Sequence, residues 1–294
     1  MKLSRRSFIR LGLLAGLAGF GIKGCVNARD IELEKVEIRL DRLPPDLDGL
    51  RIGQITDLHA GPLVSAALIR EGVDLLMTQE PDLIVLTGDF ISGATKFLWT
   101  SYGGFKEEYL DYCAAELARL EAPLGLYGVL GNHDFWSGPR EAEAITRGLA
   151  GIGVRMLRNE AVQVKAGRPL FLSGVDDYWS DSYKLSSAVK PVPAEACHIL
   201  LSHNPDVNED AGNVDQEIDL IISGHTHGGQ IVLPLIGAPY LPSSFGQKYR
   251  QGLVRDGRRQ TYVSRGLGLF FAPIRLNCPP DVSLLTLKSG GLLP

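Results

Sequence analysis

Five short motifs bring together histidine, aspartate and asparagine, which are residue types that bind divalent metal ions. In chain order they are Asp57-Leu58-His59, Gly88-Asp89, Gly131-Asn132-His133-Asp134, Ser202-His203-Asn204-Pro205 and Gly224-His225-Thr226-His227-Gly228-Gly229. Five of the six histidines of the chain lie in these motifs. Their imidazole, carboxylate and amide groups form a mixed nitrogen and oxygen ligand set, which accepts several first-row divalent ions. The motifs therefore predict a metal centre.

Each motif follows an apolar run that is typical of a buried β-strand. The runs are Leu50–Thr56, Leu83–Thr87, Leu126–Leu130, Ile199–Leu201 and Asp219–Ser223. In open α/β sheets, ligands collect in the crevice at the carboxyl ends of the strands. Side chains two positions apart on extended backbone point to the same side, as expected for Asp57 with His59 and for His225 with His227. We therefore expect the five motifs to meet at one edge of the fold.

Such a site suits phosphoryl transfer. Two divalent ions about 3.5–4 Å apart can bind both the attacking and the leaving oxygen of the reaction. The metallo-β-lactamase-like hydrolases also use two metals, but they need a clustered His-x-His-x-Asp-His motif, which this sequence lacks. The pattern therefore favours a two-metal hydrolase of phosphoesters.

The elements around the motifs indicate the fold class. Helical periodicity predicts helices at Ser65–Glu80, Glu107–Leu120 and Pro139–Leu149. Short strands are predicted at Ala161–Lys165, Pro169–Ser173, Gln230–Leu233, Thr261–Ser264 and Val282–Leu287. Alternating strands and helices favour an α/β protein. We predict a four-layer α/β/β/α sandwich, with two mixed sheets face to face and helices outside. The predicted domain spans residues 48–288, between an N-terminal extension (29–47) and a C-terminal tail (289–294).

Residues 1–28 have the composition of an export signal. They hold five basic residues and no acidic residue, and the apolar run Leu11–Ile22 is too short and glycine-rich for a membrane span. The pair Arg5-Arg6, followed by Phe8 and Ile9, resembles a twin-arginine signal. This predicts that the twin-arginine export machinery carries the folded protein to the periplasm, the cell wall or the outer face of the membrane.

The processing of that signal has three alternatives. Small residues before Ala28 favour cleavage after it, whereas Ile22-Lys23-Gly24-Cys25 loosely resembles a lipoprotein box with Lys23 as a departure. An uncleaved anchor is the third. The other cysteines, Cys113, Cys197 and Cys278, form no CxxC pair and are expected to be buried apolar residues.

The charge of the chain argues against nucleic acid as a partner. The net charge is −4, and without residues 1–28 it becomes −9, from 25 basic and 34 acidic residues. Binding of nucleic acid without sequence preference requires Lys and Arg to neutralise phosphates. We therefore expect no nucleic-acid partner.

With these motifs in this order, residues 48–288 resemble the calcineurin-like metallophosphoesterase family. The resemblance implies seven metal ligands, which are Asp57, His59, Asp89, Asn132, His203, His225 and His227. By the family pattern, Asp57, His59 and His227 hold one divalent ion. Asn132, His203 and His225 hold the other, and Asp89 bridges the two. Neither ion is identified, and the ligand set accepts Mn, Fe, Zn, Co or Ni.

The resemblance also implies two catalytic residues. A metal-activated hydroxide would attack phosphorus, His133 would protonate the leaving oxygen, and Asp134 would orient His133. Three segments, Ser202-His203-Asn204-Pro205-Asp206, Gly224–Gln230 and Asn277-Cys278-Pro279-Pro280, resemble an exported bacterial phosphodiesterase branch. That branch is related to enzymes that cleave UDP-2,3-diacylglucosamine.

The expected reaction is therefore hydrolysis of a phosphodiester or diphosphate, on a lipid or cell-envelope substrate. The alternatives are a phosphomonoesterase and a non-catalytic, metal-bound interaction scaffold on the same fold. A scaffold of that kind is expected to have lost ligands or the catalytic histidine, whereas His133 and all seven ligands are present.

Two further segments have two interpretations each, and one histidine lies outside the motifs. The segment Phe90–Tyr112 holds seven of the 22 aromatic residues, including Trp99 and Phe105, and is either an apolar cap that meets lipid or a packed loop. Leu241–Gly252, with Lys248 and Arg250, is either a lip that meets phosphate or a solvated face. His198 matches no motif and is expected not to bind metal.

Overall fold

The computed structural model describes residues 28–93, 95–97, 100–102, 104–164, 169–270 and 272–290, with the backbone alone for 95–97 and 100–102. The predicted export signal, its processing site at Cys25 and the predicted cap residue Trp99 lie outside the described residues. Ala28, the last residue of the predicted signal, is described and is buried.

The first sheet has six strands. In spatial order they are β1 (Glu32–Leu40), β14 (Asp281–Ser289), β2 (Arg51–Ile55), β3 (Leu83–Leu86), β6 (Leu126–Gly128) and β7 (Val154–Met156). The β14–β2 pair is antiparallel and the other four pairs are parallel. The carboxyl ends of β2, β3 and β6 therefore lie at the same edge.

The second sheet also has six strands. In spatial order they are β12 (Gly252–Asp256), β13 (Arg259–Val263), β11 (Leu220–Ser223), β10 (Cys197–Leu201), β9 (Leu170–Gly174) and β8 (Glu160–Gln163). The central four strands are parallel, and the two outer strands run antiparallel to their neighbours. A separate antiparallel pair, β4 (Thr95–Phe97) and β5 (Thr100–Tyr102), follows the second motif.

Six α-helices are described. They are α1 (Ala66–Met77), α2 (Glu107–Leu117), α3 (Asn132–Trp136), α4 (Pro139–Gly151), α5 (Leu185–Val189) and α6 (Val207–Asp210). Short 3₁₀ turns lie at Pro45–Leu47, Ala211–Asn213, His227–Gly229 and Gly246–Tyr249. Within the described part of the chain, we find no helix with the length and apolar character needed to span a membrane.

Alternating burial shows how the layers pack. In β3, Val85 belongs to the core between the two sheets, whereas its neighbours Ile84 and Leu86 belong to the core beneath α1, α2 and α4. In β11, Ile222 faces the core between the sheets and Ile221 faces the core under α5 and α6. Side chains that alternate along a strand reach both faces of the sheet. The prediction of a four-layer α/β/β/α sandwich with two mixed sheets is confirmed.

Most predicted boundaries differ from the observed ones by a few residues, and two assignments differ in kind. The predicted strand Gln230–Leu233 is wrong, because the chain makes only isolated bridges there, Ile231 to Leu276 and Leu233 to Gly237. The stretch 29–47, predicted as an extension before the domain, supplies β1, which pairs with β14 along its full length. Most side chains of this edge strand are not buried, so its sequence lacks the continuous apolar run of the central strands.

Candidate metal centre

All five motifs meet between the carboxyl ends of the two sheets. Hydrogen bonds of the backbone join them: Asp57 N donates to Gly88 O at 3.0 Å, and His59 N donates to Asp89 O at 2.9 Å. Across the sheets, His225 N lies 2.9 Å and 3.0 Å from the two carboxylate oxygens of Asp57. The first three motifs follow β2, β3 and β6, and the last two follow β10 and β11. Each sheet therefore supplies part of one site.

The ligand atoms of one group lie close together. The Nε2 atoms of His59 and His227 are 2.9 Å apart. Asp57 Oδ1 lies 3.3 Å from His227 Nε2, and Asp89 Oδ2 lies 3.4 Å from His59 Nε2. Asp57, His59 and His227 thus form a cluster in which a divalent ion could bind.

A second group lies on the other side of Asp89. Asp89 Oδ2 is 3.1 Å from His203 Nε2, which is itself 3.2 Å from His225 Nδ1. The carboxylate of Asp89 therefore contacts both groups, as a bridging ligand must. Asn132 lies in the same pocket as Asp89 and His225. The structure thus brings all seven predicted ligands together.

Two observations show that this arrangement fits cations. Asn132 Oδ1 is buried and has no hydrogen-bond partner among the described residues, which is costly for a buried acceptor. His203 Nδ1 lies 2.7 Å from the carbonyl oxygen of Thr87, to which it can donate, and this leaves Nε2 to face Asp89. Acceptor atoms that face one another in a buried space are the environment that a divalent ion requires.

The pKa values of the site histidines also favour cation binding. Desolvation lowers the pKa of His203, but Asp89 and Asp57 outweigh it and raise that pKa to about 10, so the carboxylates favour positive charge at this point. Burial lowers the pKa of His59 to about 3 and the pKa values of His225 and His227 well below their ordinary range. These three rings are therefore neutral at pH 7 and keep a lone pair for a metal.

The backbone at the site is strained. The φ angles are 54° at Asp57, 48° at His59, 55° at Asp89, 72° at His225 and 50° at His227, all in the left-handed region. Non-glycine residues adopt this region at a cost, and such residues concentrate at functional sites. Position 224 must be a glycine because the backbone there approaches Asp57 closely. A Cβ atom at that position would lie 2.1 Å from Asp57 Oδ2.

Asp134 has a different role from the predicted one. Its Oδ2 accepts hydrogen bonds from the backbone N–H groups of Asp89 and Gly131, each at 2.9 Å, and its Oδ1 accepts from Phe90 and Ile91, at 3.0 and 3.2 Å. All hydrogen bonds described for this carboxylate go to backbone amides, and none goes to the His133 ring. Asp134 therefore holds the turn that carries Asp89 rather than orienting His133.

His133 lies at the edge of the centre. Its ring offers a nitrogen within 4.8 Å of ligand atoms of His59 and Asp89, and its backbone N–H donates to Asp89 Oδ1 at 2.8 Å. The ring packs against Trp136 and Phe270, with centroid distances of 4.8 and 5.5 Å. Burial lowers the pKa of His133. The position suits a group that exchanges a proton with substrate at the centre.

Four residues of the site were missed by the sequence reasoning. Trp136, Trp179, Tyr240 and Phe270 line the pocket above the predicted ligands. Trp179 follows β9, so the strand-end rule that found the five motifs could have found it as well. The Trp179 ring meets the His225 ring edge to face, with 4.5 Å between centroids.

Arg275 was also missed. It is completely buried, and its Nη2 donates to the carbonyl oxygens of Arg265, Gly266 and Gly268 at 2.7–2.9 Å. The same nitrogen lies 3.3 Å from His227 Nδ1. Gly268 N donates to Asp57 O at 2.7 Å, so Arg275 ties this loop to the centre.

The structure describes only part of the segment Phe90–Tyr112. Phe90 is buried, and Phe105, Tyr109 and Tyr112 pack against the core, whereas the side chains of Phe97, Trp99 and Tyr102 lie outside the described residues. In the segment Leu241–Gly252, Lys248 forms an ion pair with Glu209 at 2.5 Å and does not line the pocket, whereas Pro242 does line it.

His198 lies away from the ligand clusters. It is buried, and its Nε2 lies 2.6 Å from Ser173 Oγ. This contact gives the ring a structural partner outside the centre.

Comparison with known proteins agrees with the geometry. Residues 50–229 match the model of the family described as calcineurin-like phosphoesterase. The "Phosphodiesterase YaeI" of Escherichia coli is 31% identical over 291 residues, covering 97% of this chain and 99% of that protein. The "Uncharacterized metallophosphoesterase YkuE" of Bacillus subtilis is 29% identical over 299 residues, covering 98% and 99%. An "Uncharacterized metallophosphoesterase" of Aquifex aeolicus is 33% identical over 269 residues, covering 89% and 93%.

Proposed function

Because this chain belongs to the calcineurin-like phosphoesterase family, whose members are metal-dependent hydrolases, we propose that it hydrolyses phosphodiester or diphosphate bonds at a two-metal centre. The observation that carries the proposal is the position of Asp89. Its carboxylate lies between the group of His59 with His227 and the group of His203 with His225.

The proposed ligands divide between the two groups. Asp57, His59 and His227 would hold one ion. Asn132, His203 and His225 would hold the other, and the carboxylate of Asp89 lies between the two groups. When bound, divalent ions at such a site polarise phosphoryl oxygens and make water a better nucleophile.

The chain itself contributes a proton and a fixed geometry. His133 gives its proton to the leaving oxygen, a contribution of about 10²–10⁴ in rate for general acid catalysis. Asp134 fixes the turn that presents Asp89, through its four backbone hydrogen bonds. The role of Asp134 is positioning.

The pocket walls favour a diester over a monoester. Among the described residues that line it, none is Lys or Arg, whereas Trp136, Trp179, Tyr240 and Phe270 supply aromatic surface. Dianionic phosphate groups are commonly bound by Arg or Lys. A monoanionic diester with organic groups on both sides is better matched to these walls. The similarity to a protein called a phosphodiesterase supports the same choice.

The proposal extends to location and substrate. The twin-arginine pattern of residues 1–28 favours a site of action in the periplasm, in the cell wall or on the outer face of the membrane. The aromatic walls favour a substrate with apolar groups, such as a lipid or envelope phosphoester, because aromatic side chains suit the boundary between apolar and aqueous surroundings.

Activity of metal-reconstituted protein tests this function. A panel of monoesters, diesters, nucleotide diphosphate sugars and phospholipids is measured with Mn²⁺, after chelation, and after Mn²⁺ is restored. We expect diester or diphosphate hydrolysis that chelation removes and Mn²⁺ restores. Preferential cleavage of monoesters would refute the choice of substrate class.

The variant Asp89→Asn tests the two-metal assignment. It should lose activity and metal together, because its carboxylate contacts both groups. The control Asp74→Asn changes an exposed carboxylate on α1 and should leave both unchanged. Full turnover in Asp89→Asn would exclude the bridging role.

A further inference from the structure

Two tryptophans from different sheets meet above the centre. Trp136 lies in α3, which follows β6 of the first sheet, and Trp179 follows β9 of the second sheet. Their rings are nearly parallel, at 11°, with centroids 6.2 Å apart. Both are open to solvent, with 53% of Trp136 and 43% of Trp179 exposed. An exposed pair of large aromatic side chains beside a catalytic pocket is the kind of apolar patch that marks a binding site.

The two rings are held in place by the centre itself. The Trp179 ring packs edge to face on His225, and the Trp136 ring packs on His133. The backbone N–H of Trp179 donates to Asp177 Oδ1 at 2.9 Å, and Asp177 is buried. Both rings therefore already contact residues of the centre without substrate, and contacts formed in advance lower the entropic cost of binding.

The other residues at the mouth of the pocket are also apolar or aromatic. Tyr240, Pro242 and Phe270 complete the lining around the predicted ligands Asp89 and Asn132. No cationic side chain belongs to this lining within the described residues. Such a surface binds uncharged apolar groups and offers no partner for additional phosphates.

We propose that Trp136 and Trp179 form the subsite for an apolar organic substituent of the substrate, which makes the substrate class a phosphodiester bearing at least one aryl or acyl group. This rests on the proposed function of the centre. The phosphate lies at the predicted metal ligands, and its apolar substituent lies on the two indole rings. Nucleoside polyphosphates and sugar phosphates without acyl groups are poor matches.

Binding of phosphonates to the Mn²⁺-loaded protein tests the subsite without requiring turnover. Dissociation constants for methylphosphonate, phenylphosphonate and octylphosphonate are measured by calorimetry. Stacking on an aromatic side chain accounts for about a tenfold to hundredfold change in affinity. We therefore expect phenylphosphonate, octylphosphonate or both to bind at least about tenfold more tightly than methylphosphonate. A preference for the phenyl compound alone indicates an aryl group, and a preference for the octyl compound indicates an acyl chain.

The variants decide where that preference comes from. Trp136→Ala and Trp179→Ala should each lower the ratio of phenylphosphonate or octylphosphonate affinity to methylphosphonate affinity, measured on protein samples of equal metal content, and Trp179→Phe should retain that ratio. Phe245→Ala, at a residue that is 41% exposed and outside the pocket lining, is the matched control and should change nothing.

The outcomes separate the two proposals. Absence of any preference, or a preference that survives Trp136→Ala combined with Trp179→Ala, would overturn the subsite. If the unaltered protein neither binds methylphosphonate nor hydrolyses diesters, the proposed metal centre is refuted instead.

Discussion

Replacement of Asp134 by asparagine separates a structural from a catalytic role for this residue. Its two carboxylate oxygens accept four backbone N–H groups, from Asp89, Phe90, Ile91 and Gly131. In Asp134→Asn, the amide oxygen can serve two of the four donors, and the amide nitrogen faces the other two. Two buried N–H groups then lose their acceptor in either orientation of the amide.

The expected loss of stability follows from that count. A buried donor without a partner costs about 1–3 kcal/mol, so two donors cost about 2–6 kcal/mol. This is a large share of a typical unfolding free energy of about 5–15 kcal/mol. The melting midpoint falls by about 2–4 °C per kcal/mol in domains of 150–250 residues, so we expect a decrease of at least about 4 °C. The turn that carries Asp89 should also shift and lower the metal content.

The assay compares Asp134→Asn with His133→Asn, which removes the adjacent ring and leaves the carboxylate in place. Thermal melting, metal content and kcat are measured for both. We expect Asp134→Asn to lose stability and metal, and His133→Asn to lose kcat alone. A stable, fully metallated Asp134→Asn with a low kcat would refute the structural role and restore the orienting role inferred from the sequence.

Three further predictions concern other parts of the chain. His133→Ala should keep both metals and lose about 10²–10⁴ in kcat with poor leaving groups, and less with activated aryl groups; loss of metal would show that His133 is a ligand instead. Arg275→Met should leave buried carbonyl groups without donors and lower stability by at least about 3 kcal/mol in a denaturant titration, and an unchanged midpoint would contradict this. Arg5→Lys combined with Arg6→Lys should leave active, folded enzyme in the cytoplasmic fraction, whereas normal export would exclude the twin-arginine route.

The central part of the fold was predictable because its strands are buried on both faces. Runs such as Leu83–Leu86 are apolar at every position, and their ends are marked by the metal motifs. The edge strand β1 gives a weaker signal, because Ile38 and Leu40 are its only buried residues. The strand predicted at Gln230–Leu233 was wrong for another reason. Its apolar residues 231–236 resemble a strand, but positive φ at Gln230 and Leu235 prevents an extended ladder.

The site was predictable where residue type alone decides the chemistry. Histidine, aspartate and asparagine that recur at five strand ends favour a metal site, because together they form a mixed nitrogen and oxygen ligand set. Asp134 could not be assigned this way, and the resemblance to the family implied that it orients His133. The helical backbone of α3 instead directs the Asp134 side chain back to the amides at its own N-terminus and at the Asp89 turn. Trp136 and Trp179 were missed because the contact between their rings forms only where the two sheets meet.

The strained backbone links the residue types of the centre to its geometry. Asp57, His59, Asp89, His225 and His227 all have positive φ, which costs a non-glycine residue roughly 1–2 kcal/mol. Aspartate, asparagine and histidine are several-fold enriched in this region among non-glycine residues. The residue types that bind metal are therefore also the types that tolerate the turns that bring the ligands together. Alanine at these positions would remove a ligand and keep the unfavourable backbone, so its effect on stability would exceed the loss of metal alone. Asp57→Asn is the cleaner probe of ligation, because asparagine keeps the shape and the tolerance for positive φ while removing the charge.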